Sequence, residues 1–181
     1  MKTATMRSIL SICLVLVPLG TAYAQVLQRI DITEYGVYTM ETEKTTAAPG
    51  TASGTIEEVS GIDLVGATTV VPAQLGTAFG FRYKLIGQPK ATVSLKNVTH
   101  VPAPGMRNPQ TGNVTLTDVF FQERKIVSEY YRLFRFTEPW EIVPGLWTFE
   151  IWDGERQLVS QGFLVQEPAT SGHDRATTRA K

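Results

Sequence analysis

Between Val143 and Val165 the chain reads VPGLWTFEIWDGERQLVSQGFLV, and large apolar side chains recur at every second position. Trp147, Phe149 and Ile151 share one face of an extended strand, because successive side chains of a strand point to opposite sides. Asp153-Gly154 supplies residues that tolerate the positive φ of a tight hairpin turn. The returning strand carries Leu158, Phe163 and Val165. Leu158 and Phe163 are five positions apart, so an unbroken strand would place them on opposite faces. A β-bulge near Ser160–Gly162 restores both to the core. Burying each such side chain is worth about 1.5–3 kcal/mol, and a domain has only about 5–15 kcal/mol of net stability, so this hairpin supplies a large share of it.

The rest of the chain repeats the theme. Residues 26–42 read as a first strand in which Ile30 and Ile32 alternate with polar neighbours, as do Tyr35 and Val37 after a one-residue shift; a bulge is expected near Gly36. The small and polar stretch 45–55 reads as a loop, and a strand over 61–71 ends at Pro72. In 77–86, Phe79, Phe81, Tyr83 and Leu85 fall on one face. In 90–98, Ala91, Val93 and Leu95 alternate with polar residues. The segment 102–113 is rich in Pro and Gly and reads as the longest loop, without regular structure. Over 114–137, Phe120, Val127, Tyr130 and Phe134 also share a face at helical spacing. Frequent aromatic and β-branched residues, and the absence of a capping box, favour two strands there. About seven or eight short strands of this kind imply an all-β, two-sheet antiparallel immunoglobulin-like sandwich, with a closed barrel as the alternative.

The first 24 residues are read as a secretory signal peptide. Lys2 and Arg7 form a positive start, Ile9 to Leu19 an apolar core, and Ala22-Tyr23-Ala24 a cleavage site after Ala24. The apolar core is shorter than the about 20 residues a membrane span needs, and no second such run follows. Cys13 lies inside that core, so the mature chain from Gln25 holds no cysteine and no disulfide. Without Lys2 and Arg7, the 17 Lys and Arg fall to 15 against 17 Asp and Glu, a net charge near −2. That balance gives no reason to expect nucleic acid or an anionic membrane as partner. A single domain over 25–166 and a polar, disordered tail over 167–181 complete the organisation expected in the periplasm.

Three segments, DITEYGVY (31–38), VPAQLGTAFGF (71–81) and WEIVPGLWTF (140–149), resemble a bacterial exported domain family of unknown function. The resemblance covers most of 28–166 and implies an immunoglobulin-like sandwich in the periplasm. It implies no activity and no catalytic residues.

No credible catalytic set emerges from the residues. A hydrolytic triad would have to use His100, because His173 lies in the tail and no Gly-x-Ser-x-Gly elbow exists. No metal site is expected, since soft ligands are lacking and Glu57, Glu58 and Asp63 are a thin calcium set. No cofactor is implied. The sequons at Asn97 and Asn113 carry no meaning in bacterial export. Trp140 between Glu138 and Glu141 has the look of a sugar site with paired carboxylates. The competing reading packs Trp140 at the sandwich edge. Trp152 alternates away from Trp147, Phe149 and Ile151, and Tyr131 and Leu133 alternate away from Phe134 and Phe136. Trp152, Tyr131, Leu133 and Trp140 are therefore the candidate binding residues. Three functional readings result: a non-enzymatic module binding a protein or envelope component, a carbohydrate-binding or glycan-cleaving domain, and an accessory domain whose sheet edge another chain completes.

Overall fold

The structure, a computed structural model, describes residues 25–47 and 54–168, with backbone alone over 55–58. The expected leader with Cys13 and its cleavage point, and the tail from 169 with His173, lie outside the described residues.

Eleven strands occur among the described residues: β1 (Leu27–Ala47), β2 (Thr55–Gly66), β3 (Val70–Pro72), β4 (Ala78–Gly87), β5 (Thr92–His100), β6 (Met106–Arg107), β7 (Val114–Thr115), β8 (Thr117–Lys125), β9 (Glu129–Arg135), β10 (Gly145–Asp153) and β11 (Arg156–Gln166). A single 3-10 turn, Pro139–Glu141, precedes β10. Sheet A has the order β2-β1-β4-β9 and sheet B the order β3-β11-β10-β5-β8; β6 and β7 form a separate two-stranded ribbon. Every pairing is antiparallel except β3 with β11, which runs parallel. The expected all-β sandwich is therefore present, with more strands than expected and one parallel pair.

Alternation builds the core. Phe79, Phe81, Tyr83 and Leu85 of β4 are all buried, as are Trp147, Phe149 and Ile151 of β10 and Phe163 and Val165 of β11. Phe79 sits at the centre. Its ring lies 5.4 Å from Phe149 in a stacked pair, 5.8 Å from Trp147, 5.6 Å from Phe163 and 5.4 Å from Phe136. These contacts tie sheet A to sheet B through ring edges and faces, the geometry that aromatic quadrupoles favour. The indole Nε1 of Trp147 donates to the Val143 carbonyl at 2.8 Å, so its burial leaves no polar atom orphaned.

Several expectations are corrected. The first strand runs on to Ala47 instead of ending near 42, because β2 continues the hairpin ladder beyond the reach of β4. The expected strand 61–71 is two strands in different sheets, since the chain crosses from sheet A to sheet B between Gly66 and Val70. Met106–Arg107 are not loop: they pair with Val114–Thr115. In the β10–β11 hairpin the register slips between Ile151 and Trp152, opposite Leu158, and not near Ser160–Gly162. That bulge puts Val159 opposite Ile151 on the inner face and leaves Leu158 packed at the core margin. The bulge expected near Gly36 is present: the β1–β2 ladder slips between Val37 and Tyr38, and the β1–β4 ladder slips once more between Ile32 and Glu34. Over 114–137 the chain is strand and not helix, as expected, in three pieces: β7, β8 and β9.

Candidate binding surface

The interior of the sandwich is filled by rings, so the polar and exposed side chains with freedom to act lie on the outer faces. On sheet B, the ladder sets Phe121 of β8 beside Lys96 of β5, and Lys96 beside Trp152 of β10. All three point outward, because Leu95 and Ile151, their chain neighbours, point in. Trp152 is clasped: its Nε1 donates to Glu150 Oε2 at 2.8 Å, and Lys96 Nζ stands 4.7 Å above its ring. Phe121 is 69% exposed. In the next row Val119 and Glu150 flank Val98. Farther along the same face Leu146, Leu164 and Val70 form a row of exposed aliphatic side chains.

His100 lies on this face. Its Nε2 is 3.5 Å from Glu150 Oε2, and its Nδ1 is 3.4 Å from Thr117 Oγ1. Hydroxyl, imidazole and carboxylate are thus in line. Both contacts are long, the imidazole is 47% exposed on a sheet face, and the carboxylate is shared with the Trp152 indole. The chemistry this set favours is orientation of surface side chains, since nothing there desolvates Thr117.

Tyr131 and Leu133 lie on the outer face of sheet A, across the sandwich from Trp152. The Tyr131 hydroxyl accepts from Arg82 Nε at 3.0 Å and Nη2 at 2.7 Å. Tyr38 meets the Tyr131 ring edge-on at 6.1 Å. Burial, then the Glu34 carboxylate, hold the Tyr38 hydroxyl well above the usual phenol range. Leu133 is half-buried opposite Gly80. The four expected binding residues therefore do not converge on one surface.

Trp140 belongs to the 3-10 turn and packs against the core. Glu141 is buried, and its Oε2 accepts from Thr137 N at 2.7 Å, Thr137 Oγ1 at 3.0 Å and Glu138 N at 3.0 Å. Burial raises its pKa, against the lowering effect of those three bonds. The carboxylate thus caps its own turn, while Glu138 is exposed at the turn's start. Asn97 and Thr99 of the first sequon face the interior and are buried. Asp63 is exposed on β2, and the side chains of Glu57 and Glu58 lie outside the described residues. Among the described residues no group of three or more His, Cys, Asp or Glu gathers where a metal ion could be held.

Two features escape the sequence reading. Phe121 is outward because Phe120, its neighbour in the same strand, is inward; the adjacent pair of phenylalanines signals this once the segment is known to be a strand. Arg132 is buried between the sheets. Its Cζ lies 4.9 Å from the ring centres of both Phe120 and Phe149, Nη2 donates to Thr99 Oγ1, and Nη1 donates to the Leu133 carbonyl at 3.2 Å. Desolvation lowers its pKa to about 10, opposed by the Asp118 carboxylate, so it stays cationic at neutral pH.

Two sheets joined through an aromatic interior define an immunoglobulin-like β-sandwich. The fold is similar to the crystal structure of an immunoglobulin-like protein from Pseudomonas aeruginosa, with a TM-score of 0.54 and 28% identity, over 78% of this chain and 100% of that one. Residues 27–165 match the family described as a domain of unknown function, DUF3859, and the chain belongs to that family. No curated protein matches the chain. No helix among the described residues is long and apolar enough to cross a membrane.

Proposed function

We propose that this domain is an exported, non-enzymatic module that binds a protein of the cell envelope through the outer face of sheet B. The observation that carries the reading is the row Phe121–Lys96–Trp152, in which an exposed ring and a clasped indole flank a cation. Exposed aromatic side chains suit a protein surface better than they suit bulk water, since Trp, Tyr and Phe are enriched in interface cores, and Lys96 is held over the Trp152 ring. Export is supported by the residues of 1–24, and the non-enzymatic role by an interior filled mainly by rings, where the buried Arg132 is bonded to Thr99. The test is affinity capture from envelope extract with the parent chain, Trp152→Ala, Phe121→Ser and, as control on the opposite sheet, Leu133→Ser. The reading expects the same protein to be lost with both sheet-B variants and retained with Leu133→Ser. Retention with all three, at unchanged thermal midpoints, rejects it.

A further inference from the structure

We propose that two copies of this chain associate by pairing their β8 strands antiparallel, edge to edge, about a two-fold axis through Phe121. Among the described residues β8 closes sheet B, and β5 is its one neighbour in that sheet. It runs nine residues with no Pro and no register slip, two of the devices by which edge strands are blunted, and its charges lie toward its ends, at Asp118 and at Glu123, Arg124 and Lys125. At its midpoint stands Phe121, the most exposed large apolar side chain among the described residues.

The strand's own sequence selects both occupant and register. Around a two-fold axis at Phe121, Thr117 faces Lys125 of the second copy, Asp118 faces Arg124, Val119 faces Glu123, Phe120 faces Gln122, and Phe121 faces its own counterpart. No like charges meet and the two exposed rings cover each other; Asp118 and Arg124, across from one another, are half-buried and engaged within each copy with Arg132 and the Tyr130 ring. Sliding by two residues in either direction sets Phe121 against Glu123, or leaves Arg124 and Lys125 beyond the paired segment. A one-residue slip would set inward side chains against outward ones. Such a dimer continues sheet B of one copy into sheet B of the other and brings their two Phe121–Lys96–Trp152 rows together. This goes beyond the binding reading above and does not depend on it. The Lys125 N–H and C=O are already bonded to the Tyr130 hydroxyl, at 3.1 and 2.9 Å, so the new ladder is confined to the run centred on Phe121; the contact is small, and the association is weak and reversible.

The experiment uses the full chain with Cys13→Ser, and adds Phe121→Cys or Glu123→Cys. In the proposed register two residues 121 lie about 4.5–5.5 Å apart between Cα atoms, within disulfide reach. Two residues 123 lie about 13 Å apart along the strands, outside it. Under mild oxidation Phe121→Cys is expected to cross-link at least tenfold faster than Glu123→Cys. Light scattering of the parent chain should show mass rising toward the dimer with concentration. Thr117→Glu, which sets a carboxylate opposite Lys125 twice per dimer, should tighten association by roughly two- to tenfold, and Thr117→Lys should weaken it. Both positions are exposed, and circular dichroism should show the fold retained. Monomer mass up to about 1 mM chain, or equal cross-linking at 121 and 123, overturns the proposal.

Discussion

Truncating Phe79 to alanine tests how the two sheets are held together. The ring is fully buried and meets five others, at 6.1 Å for Phe134, 5.4 Å for Phe136, 5.8 Å for Trp147, 5.4 Å for Phe149 and 5.6 Å for Phe163. Loss of a buried phenylalanine costs about 3–5 kcal/mol from transfer and cavity together. The neighbours are rings fixed on both sheets and cannot collapse into the hole, and each lost aromatic pair carries about 0.5–1.5 kcal/mol beyond its area. The upper end, about 5 kcal/mol, is the expected loss for Phe79→Ala. That is comparable with the whole stability of a marginal domain of about 5 kcal/mol. In urea, with a slope of about 2 kcal/mol per M, the midpoint should fall by about 2.5 M. Phe121→Ala is the control: its ring is exposed, and the change should stay within about 0.5 kcal/mol. A loss below about 1.5 kcal/mol for Phe79→Ala, or equal losses for the two variants, would refute the interlocked interior.

Three further outcomes follow from the geometry. Tyr38 has a folded pKa above its unfolded value, so the stability it contributes is complete below about pH 10 and is lost as pH rises further. Tyr38→Phe should flatten the alkaline fall in urea midpoints between about pH 10 and 12, whereas Arg132, with its folded pKa lowered to about 10, acts in the opposite sense over that window. Gly80 has φ +149°, and a Cβ there would stand 2.0 Å from the Arg132 carbonyl oxygen, so Gly80→Ala should cost more than about 3 kcal/mol, seen as loss of soluble protein or of a cooperative melt. Glu141→Ala removes the acceptor of three hydrogen bonds and should cost about 1–3 kcal/mol by thermal melting, while Glu141→Gln, which keeps one acceptor oxygen and removes a buried charge, should cost less.

Much of this fold is legible in the residues because the apolar side chains of β4 and β10 alternate cleanly, and burial follows that alternation along β10 and, in β4, from Phe81 to Leu85. The length of β1 is not legible, because beyond Met40 the strand turns to Thr, Glu and Lys and is held by its ladder with β2 instead of by burial. The crossing from β2 to β3 is hidden for a related reason: Leu64, Val65 and Val70 are all exposed, so apolar residues there mark no face. In the last hairpin the bulge falls at Leu158 because Val159 takes the core position opposite Ile151. Arg132 is invisible to any hydrophobic pattern. Only its place between Tyr130 and Phe134, at a spacing of two in a strand, could mark it as inward. Of the candidate surface, Trp152 was legible by alternation, but its separation from Tyr131 and Leu133 depends on which sheet each strand joins.

The most direct test of the central claim, that the working surface of this domain is the outer face of sheet B, is photo-cross-linking in living cells. A photoreactive residue is placed in turn at position 121, position 152 and, on sheet A, position 133. The account predicts adducts to one envelope protein from 121 and 152, in addition to any self-adduct at 121, and none to that protein from 133. Adducts to an envelope protein from 133 alone would contradict it.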